Sequence, residues 1–283
     1  MRSRPLTRLF APALLLVLAL AGCKQDAPAE ADTAQSAPSA PATGTPADAA
    51  PATTPAEATA TTAPAANAID PADAPPPPGP APVAGTHYVD IPNGQPFAPT
   101  PGMIEVVEVF GYTCPHCAQF EPVFESWRAR QPRDVKVTLV AAPFGGYWLP
   151  YAKAYYASET MGLVEKTHQP MFRAVHVERS LPVQPLPSDE QIGAFYAKFG
   201  ANPQQFISTM SSFAVDAKMK RATQFMQRSG VESTPTLVVA GKYRIEIGGA
   251  VNSHEEMLRI AEHLVARERA AAAGAAAPAT SGG

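Results

Sequence analysis

The sequence predicts an α/β domain whose sheet is built from two separated halves, with helices inserted between them and a long unstructured segment ahead. Three observations lead there. Two β-branched apolar runs, Met103 to Phe110 (MIEVVEVF) and Val135 to Ala141 (VKVTLVA), flank a stretch of helical apolar spacing. Four further segments of helical spacing lie between residues 149 and 213. A last helix–strand–strand–helix pattern then closes the chain.

Tyr88 to Ile91 is a short strand candidate, broken by Pro92-Asn93-Gly94. Met103 to Phe110 reads as a buried central strand and Gly111-Tyr112-Thr113 as the turn after it. From Pro115 to about Arg130, Phe120, Val123, Phe124 and Trp127 share one helical face, and Pro122 should kink that helix. Val135 to Ala141 is a second buried strand, parallel to the first because a helix crosses between them. Helices follow at 149–161, 164–177, 189–199 and 203–213, with Ser188 and Gln191 as a capping box and Asn202 capping a helix that opens on Pro203. A helix over 216–229 is stopped by Gly230. Thr236 to Val239 and Tyr243 to Ile247 form a hairpin around Ala240-Gly241-Lys242, and Ser253 caps a final helix to Arg269.

The remaining chain differs in composition. Arg2, Arg4 and Arg8 precede an apolar run, Leu9 to Leu20, that is short for a membrane span. Residues 1–22 therefore read as a targeting signal. The run ends in Leu20-Ala21-Gly22-Cys23, which resembles the bacterial lipobox and so implies cleavage before Cys23 and lipidation of its sulfur. Residues 23–85 then form an Ala/Pro/Thr-rich linker, almost without large apolar side chains before Ile69. Such a segment buries too little surface to offset its conformational entropy and is expected to be disordered. Residues 86–269 should fold as one domain with a helical insertion at about 149–213, and 270–283 should be a frayed Ala/Gly-rich tail.

The formal net charge is −3 with no clustered Lys/Arg stripe, which excludes a nucleic-acid footprint. The chain has three cysteines, and if Cys23 carries lipid only Cys114 and Cys117 remain, too few for a structural disulfide framework. A structural zinc site would need a second ligand pair, and His87, His168, His176, His254 and His263 are scattered without ligand spacing. His168 and His176 read as surface or core histidines. Tyr147, Trp148, Tyr151, Tyr155 and Tyr156 read as core of the insert, and no cofactor is expected.

The chemistry concentrates in Cys114-Pro115-His116-Cys117. Pro115 at the first helical position makes Cys114 the N-cap. Free amides of the first turn and the helix dipole then favour its thiolate, and a charged His116 would act in the same sense. Cys117 lies one turn on, within disulfide reach. Cys114 is thus the expected attacking thiolate and Cys117 the resolving thiol.

Glu108 to Cys117 (EVFGYTCPHC), together with the helical insert, resembles the DsbA family, whose fold is a thioredoxin fold with inserted helices. The resemblance implies a thiol:disulfide oxidoreductase that passes its Cys114–Cys117 disulfide to newly exported proteins in the periplasm and is reoxidised by a DsbB-type membrane quinone reductase. Thr234-Pro235-Thr236 matches the family's cis-proline loop, with Thr234 where many members have Val. Pro235 cannot donate to a sheet and would suit the start of an edge strand. Glu108 matches a buried acid assigned to proton transfer, with Lys136 on the next strand as its expected partner. An isomerase or reductase of the same compartment, or a peptide-binding module or chaperone on this fold, are the alternatives. A monomer is expected, tethered through Cys23, and Lys24 favours the outer membrane by sorting habit.

Overall fold

The structure, a computed structural model, describes residues 69–98 and 101–276. Residues 1–68, 99–100 and 277–283 lie outside the description, and with them the signal, Cys23, most of the linker and half of the tail.

The strands are β1 (Val89–Asp90), β2 (Ile104–Phe110), β3 (Val135–Ala141), β4 (Thr236–Val239) and β5 (Tyr243–Glu246). They form one mixed sheet in the order β1-β5-β4-β2-β3. Only β2 and β3 run parallel, as the crossover helix α1 (Pro115–Arg128) requires, and the other pairings are antiparallel. In β2, Val106, Val107, Val109 and Phe110 are fully buried. Each such side chain contributes about 1.5–3 kcal/mol through burial, which is why this run reads as a central strand.

The inserted helices are α2 (Trp148–Thr160), α3 (Val164–His176), α4 (Asp189–Ala197) and α5 (Pro203–Met210). The long α6 (Phe213–Ser229) returns the chain to the sheet, and α7 (His254–Ala276) closes it. α7 packs on β2, β4 and β5, α1 packs between α7 and α3, and α2 and α6 cover β3. Helix ends form where local chemistry dictates. Ser188 and Gln191 make both bonds of the capping box, Asn202 accepts from Gln205 N–H, and Gly230 ends α6 at φ 64°. Tyr151, Tyr155 and Tyr156 are buried, and each hydroxyl donates to a backbone carbonyl, of Leu181, Leu139 and Ala141 respectively. These three are core, as expected, whereas Tyr147 is exposed and Trp148 is half-buried against the core.

Several expectations change. α6 starts at Phe213 rather than 216, because Ser212 caps it by accepting from Val215 N–H. α7 continues to Ala276, past the expected end at Arg269, since alanine is the strongest helix former. Pro235 precedes an interior strand, because β4 lies between β5 and β2 and the edges are β1 and β3. Standing one residue ahead of β4, Pro235 removes no ladder hydrogen bond.

Part of the expected linker is held on the domain. Residues 71–73 form a short 3₁₀ helix capped by Asp70, which also pairs with Arg133 at 2.7 Å. Arg259 donates to the carbonyls of Pro78 and Pro80, and His263 Nε2 lies 3.1 Å from the Pro78 carbonyl. Proline-rich backbone makes no ladder of its own, so its carbonyls are free to accept from α7.

Candidate active site

The turn after β2 delivers Cys114 to the N-terminus of α1. Gly111 occupies this turn because a Cβ there would lie 1.9 Å from the Trp148 ring. Cys114 has extended backbone (φ −85°, ψ 117°) and is the N-cap, with Pro115 next. Its Sγ accepts from Cys117 N–H at 3.4 Å. Cys114 is 6% exposed and Cys117 is fully buried, and both are free thiols.

Cys114 is held well below the ordinary thiol range, at about 5. The hydrogen bond from the Cys117 side chain contributes most, against a desolvation cost. The Thr234 side chain and the amides of Cys117 and His116 add to it. His116 therefore acts here through its backbone amide, and its side chain is exposed. Cys117 is pushed well above the usual range by burial, then by the hydrogen bond to Cys114 and by the charges of Cys114 and Glu108. One thiolate and one thiol, separated by environment, are what an attacking and a resolving cysteine require.

The cis peptide between Thr234 and Pro235 lies beside this pair. The Thr234 carbonyl stands 3.4 Å from Cys114 Sγ and accepts from it when it is a thiol. The hydroxyl of the same residue favours the thiolate, so Thr234 touches both protonation states. A second cis peptide, Gln184–Pro185, was not legible in the sequence.

Glu108 lies in β2 with its carboxyl completely buried, and neither oxygen meets a hydrogen-bond donor among the described residues. Burial raises its pKa strongly, the charges of Glu121, Cys114 and Glu125 add to this, and Arg128 opposes it. Lys136 is not its partner. In the parallel register Lys136 lies opposite Glu105, three residues from Glu108, and strand alternation sends Glu105 and Glu108 to opposite faces. Glu105 is instead held by the amides of Phe97 and Ala98 and by the Thr138 hydroxyl. The cation that Glu108 feels is Arg128, at the end of α1.

Residues 93–260 match the protein-family model described as Thioredoxin. The thiol:disulfide interchange protein DsbA of Pseudomonas aeruginosa is 39% identical over 189 residues, which is 67% of this chain and 87% of that protein. This chain belongs to the DsbA family. The DsbA of Azotobacter vinelandii is 36% identical over 187 residues, 66% of this chain and 85% of that one. Among solved structures, the oxidoreductase DsbA from Xylella fastidiosa is similar with a TM-score of 0.64 at 43% identity, covering 67% of this chain and 98% of its own. The protein is thus a DsbA-type thiol:disulfide oxidoreductase that introduces disulfide bonds.

Behind the cysteines of this DsbA-family domain lies a polar group that sequence reasoning missed. Glu121, buried in α1, accepts from Gln169 Nε2 at 3.2 Å and lies 3.2 Å from His168 Nε2. His168 Nδ1 is 2.9 Å from the Tyr112 hydroxyl, and His176 Nε2 is 2.7 Å from the Tyr112 carbonyl. The available signal was the spacing Cys117 to Glu121, one helical turn, which sets a carboxylate behind the resolving cysteine.

Proposed function

We propose that the protein oxidises exported proteins through a Cys114–Cys117 disulfide, with Glu108 as the proton store for Cys117. A substrate thiolate attacks Cys114 Sγ, the Cys114–Cys117 bond breaks, and Cys117 leaves as a thiolate that takes the Glu108 proton. A second substrate thiolate attacks the substrate sulfur of the mixed disulfide and expels Cys114 as a thiolate. The substrate loses two electrons and the enzyme gains them. Reoxidation reverses the sequence. The Cys114 thiolate attacks a disulfide of a DsbB-type membrane partner and expels one partner sulfur as a thiolate. Cys117 then gives its proton to Glu108, attacks Cys114 Sγ and expels the second partner sulfur, so that the partner leaves as a dithiol carrying the two electrons. Thr234 and Pro235 line the approach to Cys114 and are assigned to substrate binding.

The observation that carries this direction is the Cys114 thiolate, held at about 5 by donors at the helix N-terminus. A stabilised thiolate favours the reduced enzyme and makes the disulfide a strong oxidant. The test is equilibration with glutathione. The couple should be far more oxidising than thioredoxin at about −270 mV, and Cys114→Ser should abolish oxidation of a reduced test protein. A potential as reducing as thioredoxin's would overturn the assignment.

The site of action is the periplasm, with the enzyme tethered as a monomer by lipid on Cys23. The arginines before the apolar run and the Leu20-to-Cys23 motif support this, and Lys24 favours the outer membrane. No helix among the described residues is long and apolar enough to cross a membrane. Membrane fractions should contain the protein, and Cys23→Ala should release it.

A further inference from the structure

The carbonyls of the turn that carries Cys114 are satisfied one after another. The Phe110 carbonyl accepts from Ala142 N–H at 2.8 Å, that of Gly111 from Cys114 N–H at 3.0 Å, and that of Cys114 from Ala118 N–H at 3.1 Å. All three donors are backbone groups. The Tyr112 carbonyl instead meets a side chain, His176 Nε2, at 2.7 Å. His176 comes 64 positions later in the sequence and stands in the last turn of α3. A carbonyl can only accept, so this contact places a ring proton of His176 on Nε2.

The donor is itself held. The half-buried His176 ring stacks on Phe172, with centroids 6.3 Å apart and planes 28° apart. Phe172 is buried and packs edge-on against the Tyr112 ring at 5.0 Å. About two turns earlier on α3, His168 Nδ1 lies 2.9 Å from the Tyr112 hydroxyl. One helix of the insert therefore grips Tyr112 by its carbonyl, its ring and its hydroxyl. The sulfur two residues on is placed by contacts at the long end of their range, 3.4 Å from both the Cys117 nitrogen and the Thr234 carbonyl. Because a peptide unit moves as a plane, turning the Tyr112 carbonyl away from His176 rotates the chain leading into Cys114. The N-cap sulfur would then leave the amides it accepts from.

We propose that His176 is a positioning residue for Cys114: by donating Nε2–H to the Tyr112 carbonyl it fixes the 112–113 peptide plane and so holds the Cys114 sulfur at the N-terminus of α1, facing the Thr234 carbonyl. This rests on the reading of Cys114 as the attacking sulfur. His176 takes no part in the exchange of electrons or protons. Its loss leaves the Tyr112 carbonyl to water, and the turn gains orientations in which the thiolate has fewer donors.

The test compares two replacements in the full-length reduced chain. His176→Phe keeps a ring for Phe172 and removes the donor, whereas His176→Gln keeps an N–H. In His176→Phe the Cys114 titration, followed by thiolate absorbance, should rise by about half a unit. The equilibrium with glutathione should shift about threefold toward the enzyme disulfide, and the second-order rate of exchange should fall with glutathione and with a reduced protein substrate alike. His176→Gln should restore most of each change. Asn202→Ala removes the cap of α5, weakening the insert away from the turn, and should leave the titration and the equilibrium unmoved. A wild-type titration and equilibrium in His176→Phe overturns the proposal, as does an equal shift in Asn202→Ala. A rate loss confined to the protein substrate and to KM makes His176 a substrate contact and also overturns it. If His176→Phe does not fold, nitrogen-15 spectra of the wild-type imidazoles decide: an Nε2–H ring for His176 is expected, and an Nδ1–H tautomer overturns the proposal. Retained exchange in Cys114→Ser would instead sink the underlying reading of the nucleophile, whatever His176 does.

Discussion

Thr234 and Cys114, 120 residues apart in sequence, meet at 3.4 Å between a backbone carbonyl and a sulfur. The carbonyl favours the thiol, while the hydroxyl of the same residue favours the thiolate. Thr234→Val removes only the second influence. The Cys114 titration, followed by thiolate absorbance, should move up from about 5 by about half a unit. The potential should become more reducing by about 15 mV. A downward shift would show that the hydroxyl does not donate to Cys114.

Stability of the reduced protein should depend on pH through the same sulfur. The folded Cys114 pKa of about 5 lies below the unfolded value of about 8.5. The folded state therefore holds a thiolate where the unfolded chain holds a thiol. This contribution is complete above the unfolded value, amounts to about 2 kcal/mol near neutrality, and is lost as pH falls through about 5. Glu108 is present in both proteins when Cys114→Ser is the reference, so its effect largely cancels. Above about pH 8.5 the buried Cys117 thiol, whose pKa is raised, works against folding. Denaturant unfolding across this range should show the reduced protein's advantage over Cys114→Ser shrinking on acidification, and an advantage independent of pH would refute it.

Gly111→Ala places a methyl group against the Trp148 ring, where the unrelaxed separation is 1.9 Å. Trp148 or the turn before Cys114 must move. Overpacking of this kind costs about 1–3 kcal/mol, measurable as a lowered denaturant midpoint. Disulfide exchange should slow as well, because the displaced turn carries the attacking cysteine.

Arg259→Ala should free the segment around Pro78 and Pro80 while leaving disulfide exchange unchanged. Limited proteolysis within residues 69–85 should quicken, and cleavage at the wild-type rate would show that Arg259 does not hold the segment. Arg259 also pairs with Glu256 at 2.7 Å one turn away on the same helix, a half-buried pair.

Much of the site was legible because its signals are local. The proline after Cys114 fixes the N-cap, the β-branched run before it fixes the strand, and Ser188, Asn202 and Gly230 mark helix ends through bonds made within a few residues. What escaped depends on register or on distant partners. Lys136 looked like a partner for Glu108, but pairing with Glu105 puts it on the other face, a parity that composition does not reveal. Glu121 and His168 are separated by 47 positions, and each alone resembles a polar residue on a solvated helix face. Only packing of α3 against α1 removes both from water. Residues 69–85 lack the apolar content that signals folding, and they are held by carbonyl acceptors that every sequence possesses.

Because α3 carries His168, Gln169 and His176 to the back of the active site, the helical insert is not an interchangeable attachment. A chimaera that exchanged this insert for that of a relative would inherit a different acid–base setting along with a different surface. Its α3 would have to be chosen together with α1 and β2, as one unit of inheritance.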